Sequence, residues 1–218
     1  MTVHLMHNTP LFVADTAIAK CYDKPVYTDL EKQQSRINRV ANVSKHSSTI
    51  EHLEYSFDID GVSRALLQEL ARHRLFSFTV KSSRYTLKEL KNEPHFINCS
   101  SISDTLDEVE WHEDGYNRAC NYLVMTGVDA VDIASIQALD NLAELVQSGL
   151  PNDMTKYCMP ENYKTSLVLT GNARALQNFF SLRTDSHALW EIQNLAKAMY
   201  DVIPQDHTFL FESNIKDS

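Results

Sequence analysis

The sequence predicts a mixed α and β protein whose few strands are not all parallel. One segment of the first half alternates between apolar and polar residues, as a half-buried strand does. Most of the second half repeats its apolar residues at helical spacing. No internal repeat, low-complexity tract or linker interrupts the 218 residues. We therefore expect a single domain that covers residues 1–218.

The first clear strand is predicted from Leu53 to Ile59, where apolar residues alternate with acidic residues and serine. Asp60 and Gly61 are expected to end this strand. A helix should follow, because apolar residues recur at helical spacing from Val62 to His73, with Asp60 as the N-cap. The basic residues Arg72 to Arg74 would then fall at the C-terminal end of that helix.

Helical spacing and short apolar runs predict the later elements. They are two helices between Leu106 and Val146 that are interrupted near Gly127, a strand at Thr165–Thr170, and helices at Asn172–Leu182 and Asp185–Tyr200. The segment from Pro204 onward is weakly patterned, so we expect it to fray.

The composition narrows the class of function. A net charge of −9 argues against a non-specific nucleic-acid binder. No run approaches the ~18 apolar residues of a membrane span, and no signal-peptide pattern opens the chain. We therefore expect a cytoplasmic protein with no nucleic-acid and no membrane partner. The cysteines are scattered without a C-x-x-C pair, which favours reduced thiols: Cys21, Cys99, Cys120 and Cys158.

The five glycines are too scattered to form a GxGxxG turn or a Walker loop, so any bound phosphate would need side chains or helix N-termini. The segment Arg72–Tyr85 offers four cationic side chains, one imidazole and three serines, a composition that suits a phosphate-bearing ligand. The alternative is a basic helix end that compensates its own macrodipole. In an extended segment, Ser82 and Arg84 would point to one side and could bind one phosphate together.

A second polar cluster runs from Asn172 to His187. Arg174 and Asn178 are four residues apart and should share one helix face. Arg183 would close that helix, and His187 would open the next one. The alternative is a helix–turn–helix with solvated polar residues.

The third cluster contains His46, Glu51 and His52. Two histidines beside an acid raise the question of a metal, but their spacing matches neither HExxH nor a zinc knuckle. We predict no metal site and expect hydrogen-bonded or ligand-contacting histidines instead. For nucleophilic catalysis there is no GxSxG elbow, and Cys158 is flanked by apolar residues that indicate a packed thiol.

Taken together, these segments resemble the flavin-dependent thymidylate synthases (ThyX). Arg72-His73-Arg74, seven further residues and Ser82-x-Arg84-Tyr85 match the signature of that family, and Glu69 precedes it as Gln or Glu does in family members. The other matching blocks are Asn172-Ala173-Arg174 with Asn178 and Leu182-Arg183, His187 with Trp190-Glu191-Ile192, and the upstream His46 with Glu51-His52. The blocks occur in one order from about residue 40 to residue 200.

The resemblance implies a methyltransferase that converts dUMP to dTMP by reductive methylation. It implies 5,10-methylenetetrahydrofolate as carbon donor, and FAD reduced by NADPH as hydride source. It also implies a homotetramer with active sites between subunits, and an α/β fold of the α+β type with a central, mostly antiparallel sheet flanked by helices. Two alternatives remain open: a catalytically weakened FAD- and dUMP-binding paralogue, and an NADPH-oxidising flavoprotein without methyl transfer.

The resemblance also implies roles for individual residues. The FAD contacts would be His46, Arg72, His73, Arg74, Asn172, Arg174, Asn178 and His187. The dUMP contacts would be Glu69, Arg72, Ser82, Arg84, Lys156 and Arg183. Arg183 would hold the uracil ring and stabilise negative charge on it. Ser82 is the other catalytic candidate, with a hydrogen-bonding role, because no adjacent base follows it in the sequence. Lys156 stands where family members often have Arg, which keeps the charge but loses the bidentate fork.

Overall fold

A computed structural model gives the fold and describes residues 1–98 and 105–216; Cys99 lies outside the described residues. The strands are β1 (Thr2–Asn8), β2 (Glu54–Ser63), β3 (Ser77–Val80) and β4 (Lys164–Asn172). The helices are α1 (Phe12–Tyr22), α2 (Leu30–Ile37), α3 (Arg64–Leu70), α4 (Ser83–Thr86), α5 (Gly115–Tyr122), α6 (Asp129–Gln147), α7 (Asn152–Thr155), α8 (Ala173–Arg183) and α9 (Trp190–Asp201). A π-helical turn, Asn38–Val43, continues α2.

The four strands form one sheet in the order β1-β2-β4-β3. Strand β1 pairs antiparallel with β2, from Thr2 opposite Asp60 to Asn8 opposite Tyr55. Helices and an antiparallel sheet in one chain confirm the predicted α+β fold. Among the described residues, no helix combines the length and the apolar character needed to cross a bilayer.

The chain divides into two compact units. The first contains Met1–Asp60, Gln68–Thr79 and Leu167–Ser218, and the second contains Gly61–Leu67 and Val80–Ser166. Aromatic rings pack edge to face in the first unit, where Phe211 contacts Tyr55 at 5.6 Å and Phe180 at 5.4 Å between ring centroids. In the second unit, a separate apolar core takes side chains from α5, α6 and the short helix Leu87–Asn92.

The predicted strand at Leu53–Ile59 is confirmed as β2, whose apolar side chains are buried. It does not end at Asp60, because Gly61 adopts a φ of 73° and the strand continues to Ser63. Asp60 is therefore not the N-cap of the next helix. Ser63 has that role: its hydroxyl accepts a hydrogen bond from the Leu66 N–H at 3.0 Å.

The two helices predicted between Leu106 and Val146 are confirmed as α5 and α6, which are separated around Gly127 at a φ of 77°. The strand at Thr165–Thr170 and the helix after Asn172 are also confirmed. Two other boundary predictions were also wrong. The last long helix begins at Trp190 rather than Asp185, and the segment after Pro204 forms helical turns in which His207, Leu210 and Phe211 are buried.

Candidate active site

A cavity of about 580 Å³ lies in the first unit, between the turn that follows α3 and the C-terminal half of α8. Its lining combines cationic, amide and apolar side chains: Arg72, His73, Arg74, Leu75, Phe76, Ala175, Asn178, Ser181, Leu182, Arg183, Asp185, His187, Ala188 and Lys216. The chain as a whole carries a charge of −9, so this concentration of cations makes the cavity suited to an anionic ligand.

A second cavity of about 670 Å³ adjoins the first along α8. The two cavities share Leu75, Ala175, Asn178 and Ser181, and together they follow one face of the helix. The second also includes Asn172 and Arg174 from the start of α8. A long ligand could therefore bind across both cavities.

Arg183, the last residue of α8, is the most constrained cation of the first cavity. Its Nη1 lies 2.8 Å from Glu69 Oε2, its Nη2 donates to the Glu69 carbonyl at 3.2 Å, and its Nε donates to His73 Nε2 at 2.9 Å. The Arg183 side chain is only 14% exposed. Three of the five guanidinium N–H groups are thus used, and two remain for a ligand.

His73 is buried and acts as a hydrogen-bond acceptor. Because an arginine Nε can only donate, the His73 Nε2 must be unprotonated and the ring proton must sit on Nδ1. Burial and the neighbouring Arg183 charge lower the pKa of His73 from 6.5 to about 4, against the opposing effect of Glu69. The ring is stacked on Phe76 at 5.7 Å and meets the edge of Phe179 at 5.0 Å.

Asp185 organises the rim of the same cavity. Its carboxylate pairs with Lys216 Nζ at 2.7 Å and with His187 Nδ1 at 2.9 Å, and it accepts the His187 backbone N–H at 3.0 Å. The hydrogen bonds from Lys216 and His187 hold the pKa of Asp185 well below its usual range. The predicted position of His187 at the start of a helix was wrong, because it lies in the turn that Asp185 closes.

The start of α8 is fixed by Asn172, whose side-chain oxygen accepts the Ala175 N–H at 2.9 Å. Arg174 forms an ion pair with Glu51 at 2.5 Å. Arg174 and Asn178 both line the second cavity, which confirms that they share a helix face. His46 is exposed, and its Nδ1 is hydrogen-bonded to the Tyr22 hydroxyl at 3.0 Å. The second cavity is lined by the neighbouring Ser47 and not by His46.

Ser82, Arg84 and Lys156 belong to the second unit. Arg84 pairs with Asp153 at 2.7 Å, and its carbonyl accepts the Asn152 side-chain amide at 2.7 Å, so α4 is joined to α7. Lys156 immediately follows α7. The segment from Ser82 to Arg84 is not extended, as the shared phosphate contact had assumed, because a helix begins at Ser83.

The structure thus brings six predicted residues to the first cavity: Arg72, His73, Arg74, Asn178, Arg183 and His187. Sequence reasoning missed Phe76, Asp185 and Lys216 as parts of the cavity. A terminal lysine has no local pattern that links it to residues about thirty positions earlier. In the described parts of the chain, no cluster of His, Cys, Asp and Glu side chains has the arrangement of a metal site.

The family model described as "Thymidylate synthase complementing protein" matches residues 4–207. A flavin-dependent thymidylate synthase from Wolinella succinogenes is 49% identical over 213 residues, which cover 97% of this chain and 97% of the relative. The protein of the same name from Campylobacter jejuni is 49% identical over 214 residues, or 97% of this chain and 96% of that one.

A solved structure has the same fold. The crystal structure of thymidylate synthase X (ThyX) from Helicobacter pylori with FAD and dUMP superposes with a TM-score of 0.90 at 44% sequence identity, and the match covers 100% of both chains.

The buried, neutral His73 predicts that the folded protein loses stability as the pH falls from 6.5 toward 4. In that window the unfolded chain binds a proton that the folded chain excludes. This stabilisation is therefore complete above pH 6.5 and is lost on acidification, by up to about 1.4 kcal/mol per pH unit. Urea denaturation at several pH values should show a shallower dependence for His73→Asn than for wild type.

His4→Asn is the matched control, because His4 is exposed on β1 and its removal should leave the wild-type dependence. Burial also lowers the pKa of His207, and this effect is common to all three proteins. Equal pH dependence in His73→Asn and wild type would contradict a neutral His73.

Proposed function

The chain belongs to the family of flavin-dependent thymidylate synthases, and we propose how its own residues divide the work of converting dUMP to dTMP. The reaction uses 5,10-methylenetetrahydrofolate as carbon donor, FAD as cofactor and NADPH as reductant. The observation that carries the proposal is the Arg183 guanidinium, which Glu69 and His73 hold at the wall of a cation-lined cavity.

The two adjoining cavities fit FAD by the chemistry of their donors. Arg72, Arg74 and His187 line the first cavity and Asn172 and Arg174 line the second; they provide side-chain donors for a diphosphate without a glycine-rich loop. We propose that these residues contact FAD, together with His46, His73 and Asn178. When bound, FAD supplies the redox chemistry of the reaction. The task of the protein is to bind, orient and stabilise charge.

Arg183 is proposed to bind the uracil ring of dUMP. Its two remaining N–H groups can donate to a uracil oxygen and stabilise negative charge there while C5 acts as a nucleophile. Because Glu69 and His73 already fix the guanidinium, little reorganisation is needed as this charge develops. Glu69 also lies 3.9 Å from Arg72, and both are proposed to contact dUMP.

Arg84, Lys156 and Ser82 are proposed to bind the dUMP phosphate. The Arg84 and Asp153 side chains are 57% and 59% exposed, so their ion pair is worth little and can rearrange to accept a phosphate. Lys156 is a point charge that needs no fixed orientation. Ser82 is exposed at the N-cap position of α4, where its hydroxyl can donate a hydrogen bond.

We further propose that residues 1–218 act as one synthase domain, since the family match at 4–207 includes segments of both compact units. A homotetramer with active sites between subunits is supported by the apolar side chains exposed at the first cavity, where Leu75 is 75% and Leu182 54% exposed. Sedimentation at the mass of a single chain would contradict the homotetramer.

A cytoplasmic location is supported by the use of NADPH and a reduced folate.

The function is tested by the visible spectrum of the purified protein, followed by turnover. We expect a flavin band that shifts when dUMP is added, and dTMP formation once methylenetetrahydrofolate and NADPH are supplied. If NADPH is oxidised and no dTMP is formed, the protein is an NADPH-oxidising flavoprotein and not a synthase. If the protein stays colourless after incubation with FAD, the synthase is rejected in favour of a nucleotide-binding protein without flavin chemistry.

Arg183→Ala should lower kcat about a hundredfold or more, because the loss of one preorganised donor costs about 2.7–4 kcal/mol of barrier. The measurement is dTMP formation at saturating dUMP. Lys88→Ala removes an exposed cation elsewhere and should retain wild-type turnover. A kcat for Arg183→Ala within threefold of wild type would exclude the proposed role.

Ser82→Ala should retain measurable turnover with weaker dUMP binding, because a hydrogen-bond donor to a phosphate contributes about 1.5–3 kcal/mol of binding and no chemical step. The matched variant is Ser83→Ala, which alters the next hydroxyl of the same segment. If Ser82→Ala binds dUMP normally and forms no dTMP, the serine is instead a nucleophile.

A further inference from the structure

We propose that Phe76 and Gly171 are positioning residues for the synthase reaction, and that they act on Arg183 through the ring of His73. The inference rests on the proposed role of Arg183. Neither residue belongs to the cation and amide set that would hold the ligands. The contacts run from Gly171 through Phe76 and His73 to the Arg183 guanidinium, and all four residues lie in the first compact unit.

Gly171 is the buried residue of β4 that precedes the N-cap of α8. A Cβ placed there would lie 2.3 Å from Phe76 Cδ1 and 2.5 Å from Cε1, distances that real Cβ atoms do not show. The glycine is not among those that adopt a positive φ. Its role is therefore to let the Phe76 ring approach the strand backbone closely.

The Phe76 ring, held against this backbone, faces His73. The two rings are nearly parallel, with an interplanar angle of 26° and centroids 5.7 Å apart. The Phe179 ring contacts both of them, with its centroid 5.6 Å from that of Phe76 and 5.0 Å from that of His73. The three ring centroids thus form a nearly equilateral triangle, and the packing of the imidazole against both aromatic side chains restricts its rotation.

The fixed imidazole sets the direction of Arg183. Its unprotonated Nε2 accepts from Arg183 Nε at 2.9 Å, and Glu69 holds the other edge of the guanidinium. A side chain at position 171 would displace the Phe76 ring from its packing against His73, and the imidazole would lose a contact that sets the direction of this acceptor. The same displacement would also admit water to the imidazole and raise the pKa of His73 above its value of about 4.

Gly171→Ala is the direct test, because Gly171 is outside the described lining of both cavities, whereas Phe76 lines one of them. We expect kcat for dTMP formation to fall about tenfold to a hundredfold, because a catalytic group misplaced by about an ångström lowers the rate by up to that factor. The KM for dUMP should change little. The His73 imidazole resonance, followed by NMR through a pH titration, should show a raised pKa.

A double-mutant cycle separates positioning from simple disruption. In a Phe76→Ala background there is no ring to displace, so adding Gly171→Ala should cost no further activity. Ile37→Ala is the control for lost stability, because it removes a buried side chain of α2 and should leave kcat per folded enzyme and the His73 pKa unchanged. Equal costs of Gly171→Ala in both backgrounds would overturn the proposal, as would a wild-type His73 pKa in Gly171→Ala.

If circular dichroism shows that Gly171→Ala is unfolded, Phe76→Leu takes its place. This variant removes the flat ring with a small change of volume, and it should raise the His73 pKa and lower kcat. Unchanged values would overturn the proposal. The NMR titration requires no turnover, so failure of the positioning contact is distinguishable from failure of the synthase assignment, which the wild-type enzyme alone would reveal.

Discussion

The candidate active site depends on one anchored charge, the Arg183 guanidinium at the end of α8. Glu69 neutralises it and His73 accepts from its Nε, so a cation that is only 14% exposed keeps a fixed orientation. Without these partners, burial of the Arg183 charge would carry a large desolvation cost, and the side chain would have no fixed orientation. The depressed pKa of His73 belongs to the same arrangement, because only a neutral imidazole can accept this hydrogen bond.

The site is assembled from segments that are distant in sequence, and local pattern could predict only part of it. Alternation identified β2, and four-residue spacing placed Arg174 and Asn178 on one face of α8, since both signals repeat within a few residues. The contact between Arg183 and Glu69 spans 114 positions and has no local signal. The family resemblance placed these two residues together in the dUMP site, although it did not predict that they pair with each other.

The errors at element boundaries have one physical origin. Asp60 and Asp185 both precede apolar residues at helical spacing, and each resembles an N-cap. In the structure, Ser63 caps the earlier helix, while the Asp185 carboxylate binds the His187 N–H and Lys216 instead. A polar side chain can satisfy several nearby donors, and its choice depends on groups that sequence pattern does not reveal. The packing of Phe76 on Gly171 joins residues that are distant in sequence, so it too has no local signal.

The N-cap at Asn172 fixes the residue at which α8 begins. Eleven residues later the same helix presents Arg183, and a helix turns by about 100° per residue. An insertion or deletion of one residue anywhere between these two positions would therefore rotate Arg183 away from Glu69 and His73, even if every side chain were retained. The length of α8 between Asn172 and Arg183 is therefore a constraint on this chain that is separate from the identity of its side chains.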